Sequence, residues 1–458
     1  MFKKIVCCVV SAFFLFQNIY LFAQTNTVPN RLFGLTIDES SFDDKKLKID
    51  GAKQIENIVS EIKKIKLAQP NSNALTVRIV LPIGCENGDN CDATETKLTN
   101  KLDKKYVELI KRIKTENIAN VMAEVVDSDV ESSSKCFKGL DKTASVANYL
   151  ERTKKLYEKL GQYVDIWEIG NECNGDWVGG NMIGAAKNNM RRKIVVAEME
   201  AAYDFLEAKK QEIVAKNKTA ATQEKVPLTA ITFYFSGFEK NRHSYENIND
   251  EMTGWMKGEG AHFLDDKNNK IKFTNLDYIL VSYYPDDNFY TPAGGGKQIP
   301  IVLSAKDWVE IFASVKSNYG PNTKFGLGEV GAQCYYSKKI ESCNTCKTLL
   351  LDYDTNEKNP CDKYDAKGEV IEARKCSCCY CAQVKVMQDY YINLDKQICD
   401  EMKADARFAS ADRFIGGYFN WYYSPDVLNK VAAGNAEDKA QAEKVKVAII
   451  DSYKTFIQ

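Results

Sequence analysis

Along the chain, eight short apolar runs rich in β-branched and aromatic residues alternate with longer charged stretches whose apolar positions recur at helical spacing. The first four runs are Arg31 to Ile37 (RLFGLTI), Leu75 to Leu81 (LTVRIVL), Ala119 to Val126 (ANVMAEVV) and Val164 to Gly170 (VDIWEIG). The second four are Leu228 to Phe235 (LTAITFYF), Leu276 to Tyr284 (LDYILVSYY), Lys324 to Val330 (KFGLGEV) and Phe414 to Trp421 (FIGGYFNW). One more amphipathic stretch, about Ala436 to Phe456, closes the last unit. Strands that alternate with helices predict a parallel sheet, and eight such units with nothing left for a second domain predict an α/β fold, a (β/α)8 TIM barrel. An open doubly wound sheet is the alternative, but it does not explain why suggestive residues stand at so many strand ends.

Most strand starts are spaced as a strand, a helix and two loops require, but the seventh and eighth, at 324 and 414, are much further apart. That interval holds a Cys-rich insertion, 334–381, with Cys334, Cys343, Cys346, Cys361, Cys376, Cys378, Cys379 and Cys381 and few apolar residues. In an exported protein such density reads as disulfide stapling of a long loop. A zinc site on Cys343-x-x-Cys346 and the 376–381 cluster is the competing reading. Because the insertion begins just after the seventh strand, it is expected on the barrel face where the strands end, forming one wall of a cleft.

Export itself is read from the first residues. Met1-Phe2-Lys3-Lys4 leads into an apolar run from Ile5 to Phe22, broken by Ser11, Gln17 and Asn18, and Ala23 offers the small residue a signal peptidase needs. The expectation is a signal peptide over 1–23, a mature barrel over 24–458, and a secreted or periplasmic protein. The broken apolar core, with no basic cluster after Phe22, argues against a retained anchor, so no stable membrane insertion is expected after cleavage. The formal net charge of −1 excludes the basic surface that nucleic acid demands. A monomer is expected. With His243 and His262 the only histidines, both outside the strand ends, histidine triads and three-histidine zinc sites are disfavoured.

The fourth strand ends in Trp167-Glu168-Ile169-Gly170-Asn171-Glu172 and the seventh in Gly328-Glu329-Val330-Gly331. Two carboxylates delivered from different strands to one barrel face are what glycoside cleavage needs, one to protonate the leaving oxygen and one to attack the anomeric carbon. Arg78 lies inside the apolar second run, where a charge needs a buried partner. Glu168 shares strand parity with Gly170 and Glu172 and is read as the structural partner of a buried cation. Alternation puts Ser282 and Tyr284 on one face of the sixth strand and Tyr283 on the other. Asp127, at the end of the third strand, is a candidate for a sugar hydroxyl, and Trp177 and Trp255 are aromatic candidates for substrate contact or for core.

WEIGNE on the fourth strand followed by a glutamate on the seventh resembles clan A of the glycoside hydrolases, retaining enzymes on a (β/α)8 barrel. The resemblance implies Glu172 as acid/base, Glu329 as nucleophile, Asn171 on the 2-hydroxyl of the sugar, and Arg78 and Tyr284 on the nucleophile. It implies Trp421 as the aromatic floor of the subsite, and the two catalytic carboxyls about 5 to 5.5 Å apart. Many clan members carry histidine where Ser282 stands. Glu172 is expected to hold its proton and Glu329 to be kept ionised by its cation. The resulting expectation is a secreted retaining glycosidase acting on a β-linked polysaccharide or oligosaccharide, perforce without cofactor or catalytic metal, and endo-acting in our reading. A catalytically silent carbohydrate-binding barrel is the runner-up, and a metal or redox protein built on the cysteine cluster is a third reading.

Overall fold

The computed structural model describes residues 32–38, 51–68, 75–81, 104–128, 137, 140–175, 178, 186–220, 223–235, 273, 275–284, 289–290, 299–300, 303–320, 322–330, 363–364, 370–372, 379–408 and 416–420. Eight parallel strands form a closed barrel: β1 Leu32–Ile37, β2 Leu75–Val80, β3 Asn120–Glu124, β4 Ile166–Gly170, β5 Leu228–Tyr234, β6 Tyr278–Tyr283, β7 Lys324–Val330 and β8 Gly416–Asn420, with β8 beside β1. All eight expected strands are present, each trimmed by at most a few residues. Six helices lie among the described residues: α1 Gly51–Leu67, α2 Lys104–Thr115, α3 Lys142–Leu160, α4 Ala186–Asn217, α5 Ala305–Val315 and α6 Cys379–Ala404. Short antiparallel ladders join 289–290 to 299–300 and 363–364 to 370–372.

The end of the Cys-rich insertion is the start of a helix, since Cys379 opens α6 and Cys381 follows in its first turn. The signal segment, the remaining insertion cysteines and the stretch from Ala436 to Phe456 lie outside the described residues. No helix among the described residues is long and apolar enough to cross a membrane.

Strand periodicity divides the buried residues into two bodies. One lies between strands and helices and includes Val77, Val121, Trp167, Phe233, Tyr283, Trp308 and Phe325. The other fills the barrel interior with Leu32, Met122, Ile166, Leu228, Ala230, Tyr278, Leu280 and Phe419. Further along four of these strands the same inward parity turns polar. Met122 leads to Glu124, Ile166 to Glu168, Ala230 to Thr232 and Leu280 to Ser282, all fully buried. The barrel therefore carries an apolar plug with a charged layer stacked on it toward the C-terminal ends of the strands.

Glycine permits the tightest strand contact. Gly417 in β8 has φ +93°, and a β-carbon there would sit 1.5 Å from the Leu327 carbonyl oxygen, so no other residue fits without moving β7.

At the opposite barrel end, Asp165 accepts from the Val121 amide at 2.7 Å and pairs with Lys114 and Lys225 at 2.8 and 2.7 Å. Burial brings Lys225 down to about 8. Asp165→Asn leaves both ammonium groups without their anion and is expected to lower unfolding stability by about 2 kcal/mol. Denaturant unfolding measures this, and a change within experimental error would remove the staple role.

Candidate active site

The backbone at the two strand ends departs from simple alternation. Between β4 and β5 the register runs Glu168 to Ala230 and then Gly170 to Ile231, so β4 gains one residue. Between β6 and β7 it runs Val281 to Leu327 and then Tyr283 to Val330, so β7 gains one. Such slips re-aim side chains. On β7, Gly328 faces the interior, where a β-carbon would meet Thr232 and Leu280. Glu329, the next residue, also turns inward to reach Arg78. On β4 the slip corrects the parity expected for Gly170: a β-carbon there would strike Met199 of α4, so this residue faces the helices while Glu168 and Glu172 face the interior network. Both slips fall on the strands that carry Glu172 and Glu329.

Glu172 follows β4 with φ +42°, a left-handed conformation uncommon in a residue bearing a β-carbon. The chain around it is fixed on several sides. The Glu172 carbonyl accepts from Gly175 at 2.7 Å. Asn174 exchanges hydrogen bonds with the Tyr234 backbone at 2.7 and 2.9 Å, and the Tyr149 hydroxyl donates to the Ile169 carbonyl at 2.7 Å. The strain is therefore imposed by the surrounding structure.

Arg78 is the hub. Its guanidinium is fully buried and donates to three glutamates: Nε to Glu168 Oε2 at 2.8 Å, Nη2 to Glu124 Oε2 at 2.8 Å and to Glu168 Oε1 at 3.2 Å, and Nη1 to Glu329 Oε2 at 3.0 Å. The Thr232 hydroxyl completes Glu168, and the Tyr284 hydroxyl donates to Glu329 Oε1. Tyr284 is aimed from β6, whose end is tied to α6 through the Tyr391 hydroxyl on the Tyr283 carbonyl at 2.8 Å. Tyr283 itself faces the helices, as alternation requires.

Burial pushes the Glu172 carboxyl well above the ordinary range, with repulsion from Glu329 adding to it. The Ser282 hydroxyl faces Glu172 and lowers this shift without closing a hydrogen bond, its oxygen being buried and unpartnered. Glu329 is pushed up to about 7, because burial and the repulsion of Asp127 and Glu168 outweigh Arg78 and Tyr284. The cation expected to keep Glu329 ionised does not offset that burial, because one guanidinium is shared among three glutamate side chains. Asp127 is half-buried and close enough to act on Glu124, Glu172 and Glu329.

Asn171 accepts from the Ser128 amide through Oδ1 at 3.2 Å, and its buried Nδ2 has no protein acceptor. Six of the expected site residues, Glu172, Glu329, Asn171, Arg78, Tyr284 and Asp127, thus gather at the C-terminal ends of β2, β3, β4, β6 and β7. Trp421, Trp177 and Trp255 lie outside the described residues. Glu124 and Thr232 belong to the site and were not expected. The described residues contain no group of three metal-ligating side chains placed to hold an ion.

Fold and site define a (β/α)8 barrel with a buried two-glutamate centre on its C-terminal face. No family model matches the chain, and no curated protein matches it. Among solved structures it is similar to a β-glucosidase from Thermotoga maritima in complex with glucoimidazole, at 12% identity and TM-score 0.46 over 86% of this chain and 89% of that one. It is likewise similar to a β-glucosidase from Exiguobacterium marinum, at 14% identity and TM-score 0.45 over 86% and 90%. At that distance the closed ring of eight strands, and not the likeness, carries the fold assignment.

Proposed function

We propose that this protein is a retaining glycoside hydrolase acting on β-linked glycans by double displacement, with Glu172 as acid/base and Glu329 as nucleophile. The observation that carries the reading is the pair itself: two buried carboxyls from the ends of β4 and β7, electrostatically coupled, one facing a hydroxyl and the other held by Arg78 and Tyr284. Glu172 gives its proton to the glycosidic oxygen while Glu329 attacks the anomeric carbon, forming a glycosyl-enzyme. Glu172, now a base, then activates the water that releases the sugar. Asn171 Nδ2, buried and unpartnered, is the donor available to the 2-hydroxyl, a contact that strengthens as positive charge builds on the ring. Export from the cell and a polysaccharide substrate belong to the same proposal.

Glu329→Gly supplies the test. It is expected to hydrolyse an activated β-aryl glycoside only when azide is added, giving a glycosyl azide of inverted configuration, which NMR of the product reads directly. Azide without effect, or product of retained configuration, removes Glu329 from the nucleophile role. A pH profile adds a second check. Attack requires Glu329 ionised, so kcat/KM should rise through an acidic limb near pH 7, and its basic limb belongs to the raised Glu172 losing its proton. An acidic limb below pH 5 contradicts this assignment.

A further inference from the structure

The three glutamates around Arg78 are unequally served. Glu168 receives Nε and Nη2 of the arginine and the Thr232 hydroxyl, so both its oxygens are filled. Glu329 receives Nη1 and the Tyr284 hydroxyl and keeps a small opening to solvent. Glu124 on β3 receives Nη2 alone, which it shares with Glu168, and its Oε1 is buried with no hydrogen-bond partner. An orphaned oxygen deep in a barrel is far less unfavourable on a neutral acid than on an anion.

We propose that Glu124 is held as the neutral acid and serves as a positioning residue, its Oε2 accepting from Arg78 so that the guanidinium is fixed in place while its whole charge is left to Glu168 and Glu329. This rests on the reading of Glu329 as an anionic nucleophile. The groups facing Glu124 agree with the assignment: burial and the negative neighbours Asp127 after β3, Glu168 on β4 and Glu329 on β7 push it well above the ordinary range, against Arg78 of β2. Register supports it too, since β3 pairs Glu124 with Glu168 on one side and with Val80, just past Arg78, on the other, so the acid closes the side of the guanidinium that Glu329 does not. A charged Glu124 would draw the guanidinium toward β3 and leave the nucleophile weakly held. A neutral one anchors without competing.

Infrared difference spectroscopy tests the protonation state without reference to any substrate. Glu172→Gln, which removes one of the two other raised acids, is compared with the same protein also carrying Glu124→Gln, both at pH 7, so that Glu329, present in both, cancels from the difference. The expected difference is the loss of one protonated-carboxyl carbonyl band. Loss of a carboxylate band instead overturns the proposal, and so does failure of Glu124→Gln to fold, because glutamine is an uncharged isostere that must be tolerated where the glutamate is itself neutral. In the otherwise native enzyme, Glu124→Gln should keep kcat/KM within about threefold with its acidic limb unmoved, while Glu124→Leu, which has no acceptor for Arg78, should lose about tenfold or more. A limb displaced by a full pH unit in the glutamine variant, or full activity in the leucine variant, counts against it. An enzyme that hydrolyses no glycoside at all sinks the preceding reading and leaves the infrared result standing.

Discussion

Glu329→Gln is expected to lose at least about 10⁴-fold in kcat while unfolding at the same temperature as the native protein or higher at pH 8. The two effects share one cause. In the proposed double displacement a glutamine cannot form the glycosyl-enzyme, so turnover stops at its first step. The native carboxylate is also a burden on the fold, since burial and its acidic neighbours raise it from an ordinary 4.5 to about 7. For a group raised on folding, the stability associated with it is complete below the unfolded value and is lost as pH climbs through the folded one. Here that window runs from about 4.5 to about 7, and above it Glu329 opposes folding by on the order of 3 kcal/mol. Thermal unfolding at pH 5 and pH 8 reads the outcome: the native protein should lose stability between them, and Glu329→Gln should lose less. A variant that melts well below the native protein at pH 8 would show that the carboxylate holds the site together, contrary to the ion balance described above. Glu172 carries a parallel burden of desolvation, with backbone strain added.

Much of this arrangement is legible in the sequence. The eight apolar runs become the eight strands because a barrel buries both faces of every strand, and near-continuous apolar segments are the trace of that. Arg78 stands out by the same logic, as a charge that an apolar strand does not tolerate alone. Glu124 carries the identical signal within ANVMAEVV, a charge inside an apolar run, whereas the more exposed Asp127 stands at the strand end where sugar-binding groups are expected. What the sequence does not display is the pair of register slips. Alternation assigns Gly170 to the interior, and only the extra residue in β4 turns it toward Met199. The raised carboxyl of Glu329 is hidden for a related reason: a nearby arginine is readable, but its division among three glutamate side chains is a property of packing.

Arg78→Met should have the opposite effect on stability from Glu329→Gln. Methionine is unbranched and apolar, so it covers much of the space of the arginine stem while removing the cation that the described residues place among Glu124, Glu168 and Glu329. Stripping one partner from a buried ionic network typically costs about 3 to 5 kcal/mol, because the remaining charges lose their compensation and not their burial. In a protein of this size that corresponds to a fall of about 3 to 5 °C in unfolding temperature. Protonation then sets the pH dependence: without the guanidinium the carboxyls hold protons more tightly, so the variant should recover stability on going from pH 8 to pH 5 by more than the native protein does. Arg78→Lys should fall between them, since an ammonium keeps the charge but has no planar fork to serve three partners. An Arg78→Met protein that melts within about 1 °C of the native one at pH 8 would mean that the three glutamates already carry protons enough to do without it.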